Sequence, residues 1–263
     1  MHVWAVANQK GGVGKTTSTV NLGALLASAG NRVLLLDLDP QGSLTSYFGY
    51  NPDKMEKSIY DLFCHKGKIP QGLPAKIVVD TSHDGMKMIP SSSALATLER
   101  NISQQEGMGL VISKTLAQVW DDYDYVLIDS PPLLGVLMIN ALAACKRLII
   151  PVQTEYLALT GLERMVHTLD MVMKSRQQDF LYTVVPTMFD RRTQASQKCL
   201  RTLRSRYEGN IWHSAIPVDT KLRDASNEGL AICDYDASSR GSRAYELLMK
   251  TLISQENEQQ SAS

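Results

Sequence analysis

The chain has 263 residues, 44% hydrophobic and 21% charged, with 27 basic residues balanced by 27 acidic ones. This is globular composition with enough length for a large core. It excludes a protein whose total charge drives it onto nucleic acid, while leaving room for a local basic patch. No apolar run reaches the roughly 18–20 residues of a membrane span. Residues 1–8 lack the basic start and long apolar stretch of a signal peptide, so none is expected. Four scattered cysteines (Cys64, Cys145, Cys199, Cys233), with no CxxC pair, predict free thiols in a reducing cytoplasm.

In chain order, residues 3–7 (VWAVA) predict a buried strand, followed by the glycine loop QKGGVGKTT. Residues 16–29 predict a helix, with Val20, Leu22, Leu25 and Leu26 apolar and Gly30 ending it. Residues 32–38 (RVLLLDL) form an apolar run typical of a parallel strand covered on both faces. Strand, loop, helix and strand make a βαβ unit with a right-handed crossover. Residues 86–89, 125–129, 148–152 and 181–186 predict further strands. Helices are expected over 110–119, 135–145, 161–175, 194–207 and 239–253. The alternation predicts one α/β domain over residues 1–254, with a mostly parallel twisted sheet flanked by helices. A loose polar tail is expected over 255–263. No linker-like stretch, low-complexity tract or repeat divides the chain.

Gly11-Gly12-Val13-Gly14-Lys15-Thr16 follows a strand and opens a helix, the setting a phosphate-binding loop requires. Its glycines let backbone N–H groups face phosphates, and the helix N-terminus adds positive character. Lys15 is expected to bridge the β- and γ-phosphates of ATP. The Thr16 hydroxyl is expected to ligate Mg²⁺ and Thr17 to touch the α-phosphate. Asp129 ends the strand YVLID and is placed to hold the Mg²⁺ shell through water. Asp37 and Asp39 end the second strand in LDLDP and point the same way if the strand persists, one toward the metal and the other toward the attacking water. Lys10 is a second lysine that a single phosphate site does not need.

KGGVGKTT, LDLDPQG and YVLIDSPP together resemble the ParA/MinD family of deviant Walker-A ATPases. The likeness extends to PVQTEYLALTGLERM (151–165), TMFDRRTQAS (187–196), IPVDTKLRDA (216–225) and DYDASSRG (234–241), and so covers nearly the whole chain. It implies the deviant P-loop fold, slow ATP hydrolysis with Mg²⁺, and an ATP-bound homodimer. In that dimer the residue matching Lys10 contacts the partner's nucleotide. The residue matching Asp39 orients the hydrolytic water, and Pro217 lies near adenine. The related nitrogenase iron protein needs cysteines after the 125–129 strand, and residues 130–136 contain none.

Members of the family bind either non-specific DNA or membrane. Arg191, Arg192, Lys198, Arg201, Arg204 and Arg206 make a local basic excess, suited to weak, salt-sensitive DNA binding. By resemblance, Arg192 and Lys221 are the DNA-contact candidates, although Val218, Asp219 and Asp224 depart from the basic pattern after the IP pair. The last helix runs into Gln255-Glu256-Asn257-Glu258, which anionic lipid would repel, so membrane anchoring is not expected. TSYFGYNP (45–52), PSSSALATLER (90–100), LLGVLMINALAA (133–144) and FDRRTQAS resemble the ParC-type branch that positions chemoreceptor arrays at the cell pole. That likeness implies an adaptor with a CheW-like domain and a polar landmark protein as partners. The alternative is DNA partition with a ParB-type partner.

Overall fold

The structure is a computed structural model that describes residues 1–65, 67–102, 107–176 and 181–260. Its strands are β1 (His2–Val6), β2 (Val33–Asp37), β3 (Val79–Asp80), β4 (Met86–Ile89), β5 (Tyr125–Asp129), β6 (Arg147–Gln153) and β7 (Leu181–Thr187). The helices are α1 (Lys15–Ser28), α2 (Ser43–Tyr47), α3 (Ile59–Cys64), α4 (Leu73–Lys76), α5 (Ala94–Ile102) and α6 (Val111–Gln118), then α7 (Val136–Ala144), α8 (Tyr156–Arg176), α9 (Gln194–Arg206), α10 (Lys221–Asn227), α11 (Ile232–Asp236) and α12 (Arg240–Gln260).

The strands form one sheet in the order β3-β4-β2-β5-β1-β6-β7. Every pairing is parallel except the short β3, which runs antiparallel to β4 at the edge. The apolar runs read from the sequence are buried on both faces, as parallel strands under helices must be. Val3 and Ala5 of β1 join the core beneath α3, α6, α7 and α8. Trp4 and Val6 join the opposite core, beneath α1 and α12. The central β1 has β5 on one side and β6 on the other, so the loops leaving these three strands lie side by side on the carboxyl rim. Ligands of open α/β sheets collect at such a rim.

β4 and β5 have the expected bounds, and the other foreseen strands differ by a residue or two. The edge strand β3 and the short helices α2, α3, α4, α10 and α11 were not foreseen, nor was α5. One of them carried a readable signal: Ser58 and Asp61 form a capping box at the start of α3.

The largest departure is at the C-terminus. α12 continues through Gln260, so the stretch 255–260 is helical rather than a loose tail, and residues 261–263 lie outside the described residues. Glu256 is buried and accepts from Trp4 Nε1 at 2.6 Å and from Arg147 Nε at 3.3 Å. Gln255 accepts from Arg147 Nη1 at 2.9 Å. Tyr245, Leu248 and Leu252 dock on the domain, while Leu247 is exposed. Among the described residues, no helix is long and apolar enough to cross a membrane. None of the four cysteines forms a disulfide.

Candidate functional site

The glycine loop occupies the turn from β1 to α1. Asn8 anchors its start, donating from Nδ2 to the Pro151 carbonyl at 2.7 Å and accepting the Lys10 N–H at 2.9 Å. Thr187 anchors its middle by donating to the Val13 carbonyl at 2.9 Å. Gly14 caps α1 with φ 92°, a left-handed value that favours glycine. A Cβ built on Gly11, Gly12 or Gly14 would meet no atom within 4 Å. These glycines face an open cradle, a cavity of about 300 Å³ lined also by Lys15, Thr16, Thr17, Asp39 and Pro132.

Lys15 is only 8% exposed. Burial pulls its pKa down against the attraction of Asp129 and Asp39. The Thr16 hydroxyl donates to Asp129 Oδ2 at 2.6 Å. Asp129 is fully buried, and its other oxygen, Oδ1, has no hydrogen-bond partner among the described residues; neither has the adjacent Ser130 Oγ. Burial, reinforced by Asp37, lifts the Asp129 pKa to about 8. A carboxylate held this far from water with one oxygen unspent calls for a cation. The donor set of one hydroxyl and one carboxylate, beside open space for phosphate and water, fits Mg²⁺.

The two aspartates of LDLDP part company. Asp37 is fully buried, and its Oδ2 accepts from the Thr45 N–H at 2.8 Å and the Thr45 hydroxyl at 2.7 Å. Its Oδ1 accepts the Asp39 N–H at 3.2 Å. The metal role expected of Asp37 therefore meets a carboxylate already engaged at both oxygens. β2 ends at Asp37, so the strand alternation that aligned the two aspartates does not reach Asp39. Asp39 instead lines the cradle, holding the Gln41 N–H at 3.0 Å, and burial raises its pKa.

Lys10 stands outside the cradle. Its ammonium bonds Glu155, just past the end of β6, and Gln153 Oε1 at 3.2 Å. Only its carbonyl faces Lys15, whose Nζ lies 3.5 Å away. Gln153 and Glu155 were not among the candidate residues, although both lie in the 151–165 segment that carries the family likeness.

A second cavity of about 590 Å³ adjoins the first through Gly14, Thr17 and Met188. Pro217 lines it with Thr220, Arg223, Asn227 and Tyr245. This is space for the rest of a nucleotide beyond its phosphates.

Both DNA-contact candidates are already paired. Arg192 forks onto Asp190 at 2.8 and 2.9 Å, holding that carboxyl down to about 2. Lys221 pairs with Asp236. On α9, Arg206 pairs with Glu163 and Arg204 donates to the His213 carbonyl. Arg191, Lys198 and Arg201 are exposed and make no ion pair among the described residues.

A parallel sheet with a glycine loop at its central strand, and with Thr16 and Asp129 closing on one point, defines a P-loop nucleoside-triphosphate-binding domain. A family model described as an AAA domain matches residues 1–182. The sporulation initiation inhibitor protein Soj of Bacillus subtilis is 37% identical over 92% of this chain and 94% of its own. The chromosome partitioning protein ParA of Caulobacter vibrioides is 34% identical over 99% of this chain and 97% of its own. A solved structure described as cobyrinic acid a,c-diamide synthase from Mycobacterium smegmatis, with bound ATP analog and magnesium, superposes with a TM-score of 0.82. It is 34% identical and covers 96% of this chain and 94% of its own. The chain belongs to the ParA/MinD-type AAA-domain family of P-loop ATPases.

Proposed function

We propose that this chain binds ATP with Mg²⁺, dimerises in the ATP state and hydrolyses ATP slowly to ADP and phosphate. In doing so it positions a cargo in the bacterial cytoplasm. The observation that carries the reading is the division of the two lysines, Lys15 inside the cradle and Lys10 outside it on Glu155. Lys15 holds the β- and γ-phosphates, the N–H groups of Gly11 to Gly14 wrap them, and Thr17 takes the α-phosphate. Thr16 and Asp129 hold the metal side; a bound Mg²⁺ supplies charge neutralisation on the phosphate oxygens. Asp39 orients the attacking water, and Pro217 faces the base. Asp37 acts by fixing the loop that carries Asp39. Lys10, released from Glu155, completes the site of a second copy.

The surface supports a second copy. Leu133 and Leu134 follow β5 and are 69% and 45% exposed; Tyr156 and Leu157 follow β6 and are 81% and 73% exposed. Large apolar residues thus flank the glycine loop on both sides, where a monomer would place polar ones.

For the cargo, the segments at 45–52, 90–100 and 133–144 support polar chemoreceptor arrays, reached through an adaptor with a CheW-like domain and a polar landmark protein. The name of the Caulobacter relative, a chromosome partitioning protein, supports partition instead, for which a ParB-type partner is the expected one. A fluorescent fusion combined with gene deletion separates the two. Array positioning predicts a focus at the pole, scattered arrays on deletion and normal DNA inheritance. Loss of DNA with arrays undisturbed overturns it in favour of partition.

A further inference from the structure

Met188 is the one non-glycine residue with a positive φ among the described residues, at 51°. In that left-handed region an L side chain crowds its own backbone. The conformation is held from both ends. On one side Thr187 donates its hydroxyl to the Val13 carbonyl of the glycine loop at 2.9 Å, and its carbonyl accepts the Thr154 N–H at 3.0 Å. On the other, the Phe189 N–H donates to the Ile216 carbonyl at 3.0 Å and the Phe189 carbonyl accepts the Val218 N–H at 3.1 Å. Between them the Thr154 hydroxyl donates to the carbonyl of Met188 itself at 3.3 Å.

Core packing does not explain this arrangement. The Met188 side chain is 39% exposed. It borders both the phosphate cradle and the larger cavity that contains Pro217. Strained backbone that presents a half-exposed apolar side chain at the seam of two cavities points to a ligand.

We propose that Met188 is a nucleotide contact whose thioether lies against the nucleoside part of ATP, between the phosphates on the glycine loop and the base near Pro217. An unbranched, polarizable side chain suits that place, because it conforms to a sugar and to the edge of an aromatic base. The proposal rests on the reading of this cleft as an ATP site. The contact falls on the portion that ATP and ADP share, so both nucleotides depend on it equally.

Titration calorimetry with Mg²⁺ and either ATP or ADP tests it on Met188→Leu, Met188→Ala and Met188→Gly. Leucine is expected to bind within about twofold of the wild type. Alanine and glycine are expected to weaken both nucleotides by about five- to tenfold, or about 1.0–1.4 kcal/mol. The half-saturating ATP concentration for hydrolysis rises by the same factor. Glycine tolerates the positive φ, so the glycine variant is expected to melt above the alanine variant although it binds nucleotide no better. Alanine and glycine variants that bind like the wild type overturn the proposal, as does a loss seen in alanine and restored in glycine, or a loss confined to ATP. If alanine does not fold, the glycine and leucine variants carry the test. A wild-type protein that binds neither nucleotide overturns the ATP reading itself, whereas wild-type binding with unaffected Met188 variants overturns this inference alone.

Discussion

Two carboxylates two residues apart, Asp37 and Asp39, have opposite surroundings, and that difference supports different roles for them. Asp37 spends both oxygens on Thr45 and the Asp39 backbone, and burial lifts its pKa to about 7. Asp39 keeps an oxygen toward the cradle, where Lys15 attracts it. Replacing Asp39 with alanine should therefore leave ATP binding intact and slow phosphate release by about 100-fold or more, the typical contribution of a group that handles the proton or aligns the water. A variant that turns over at the wild-type rate would remove Asp39 from the chemistry. Replacing Asp37 with alanine should instead lower stability by about 1–3 kcal/mol in denaturant unfolding, because the Thr45 hydroxyl and N–H are left buried without an acceptor. The spacing in LDLDP marked both residues as important. It did not separate them, because their roles depend on where β2 stops and on Thr45, which lies eight residues beyond Asp37 in the chain. Met188 was invisible for a related reason: no side-chain pattern announces a left-handed methionine.

The long elements were legible because burial on both sheet faces leaves unbroken apolar runs, as in β2 and β5. The end of α12 was not legible. Its buried stripe runs Tyr245, Leu248, Met249, Leu252 and then Glu256, and an acid at a stripe position reads as surface. In the fold that acid meets Arg147, whose side chain is only 1% exposed. Truncation after Ser254 strips Arg147 of Glu256 and Gln255 and is expected to cost about 3–5 kcal/mol, the penalty of a buried charge left alone. Thermal or urea unfolding measures it, and a loss of under about 1 kcal/mol would mean that the helix end only rests on the sheet. The basic helix α9 forms where the sequence places it. Arg192 and Lys221 carry local counter-charges, while Arg191, Lys198 and Arg201 have none among the described residues. Replacing these three with glutamine should lower the slope of log affinity for non-specific DNA against log salt by about one for each phosphate left without its cation. The Arg192→Gln and Lys221→Gln variants should change it less. Equal losses across all five would mean that the ion pairs open on DNA.

At the scale of the whole molecule, the central question is why the glycine loop has a lysine whose ammonium lies outside its own cradle. Two triphosphates brought face to face repel, so an interface over them needs cations supplied across it. In the single chain Lys10 waits on Glu155, a pair whose side chains are 33% and 46% exposed. Exposed ion pairs contribute only about 0–1 kcal/mol, so this one opens readily when a stronger anion is offered. A partner's phosphates are such an anion, and their loss on hydrolysis withdraws the offer. In the proposed dimer, association would then depend on the γ-phosphate, which would make ATP a timer for whatever the dimer holds. The prediction is clearest in an Asp39→Ala background, where hydrolysis no longer drains the ATP state. Adding Lys10→Ala there should leave ATP affinity within about threefold, or about 0.7 kcal/mol, because Lys15 and the glycine loop are untouched. Sedimentation should nevertheless find the double variant monomeric with ATP, while the Asp39→Ala parent is dimeric. Adding Lys15→Gln instead should abolish both binding and dimerisation. If the Lys10→Ala double variant still dimerises with ATP, the lysine belongs to its own chain's site, and the switch must be built from the apolar flanks at Leu133 and Tyr156 alone.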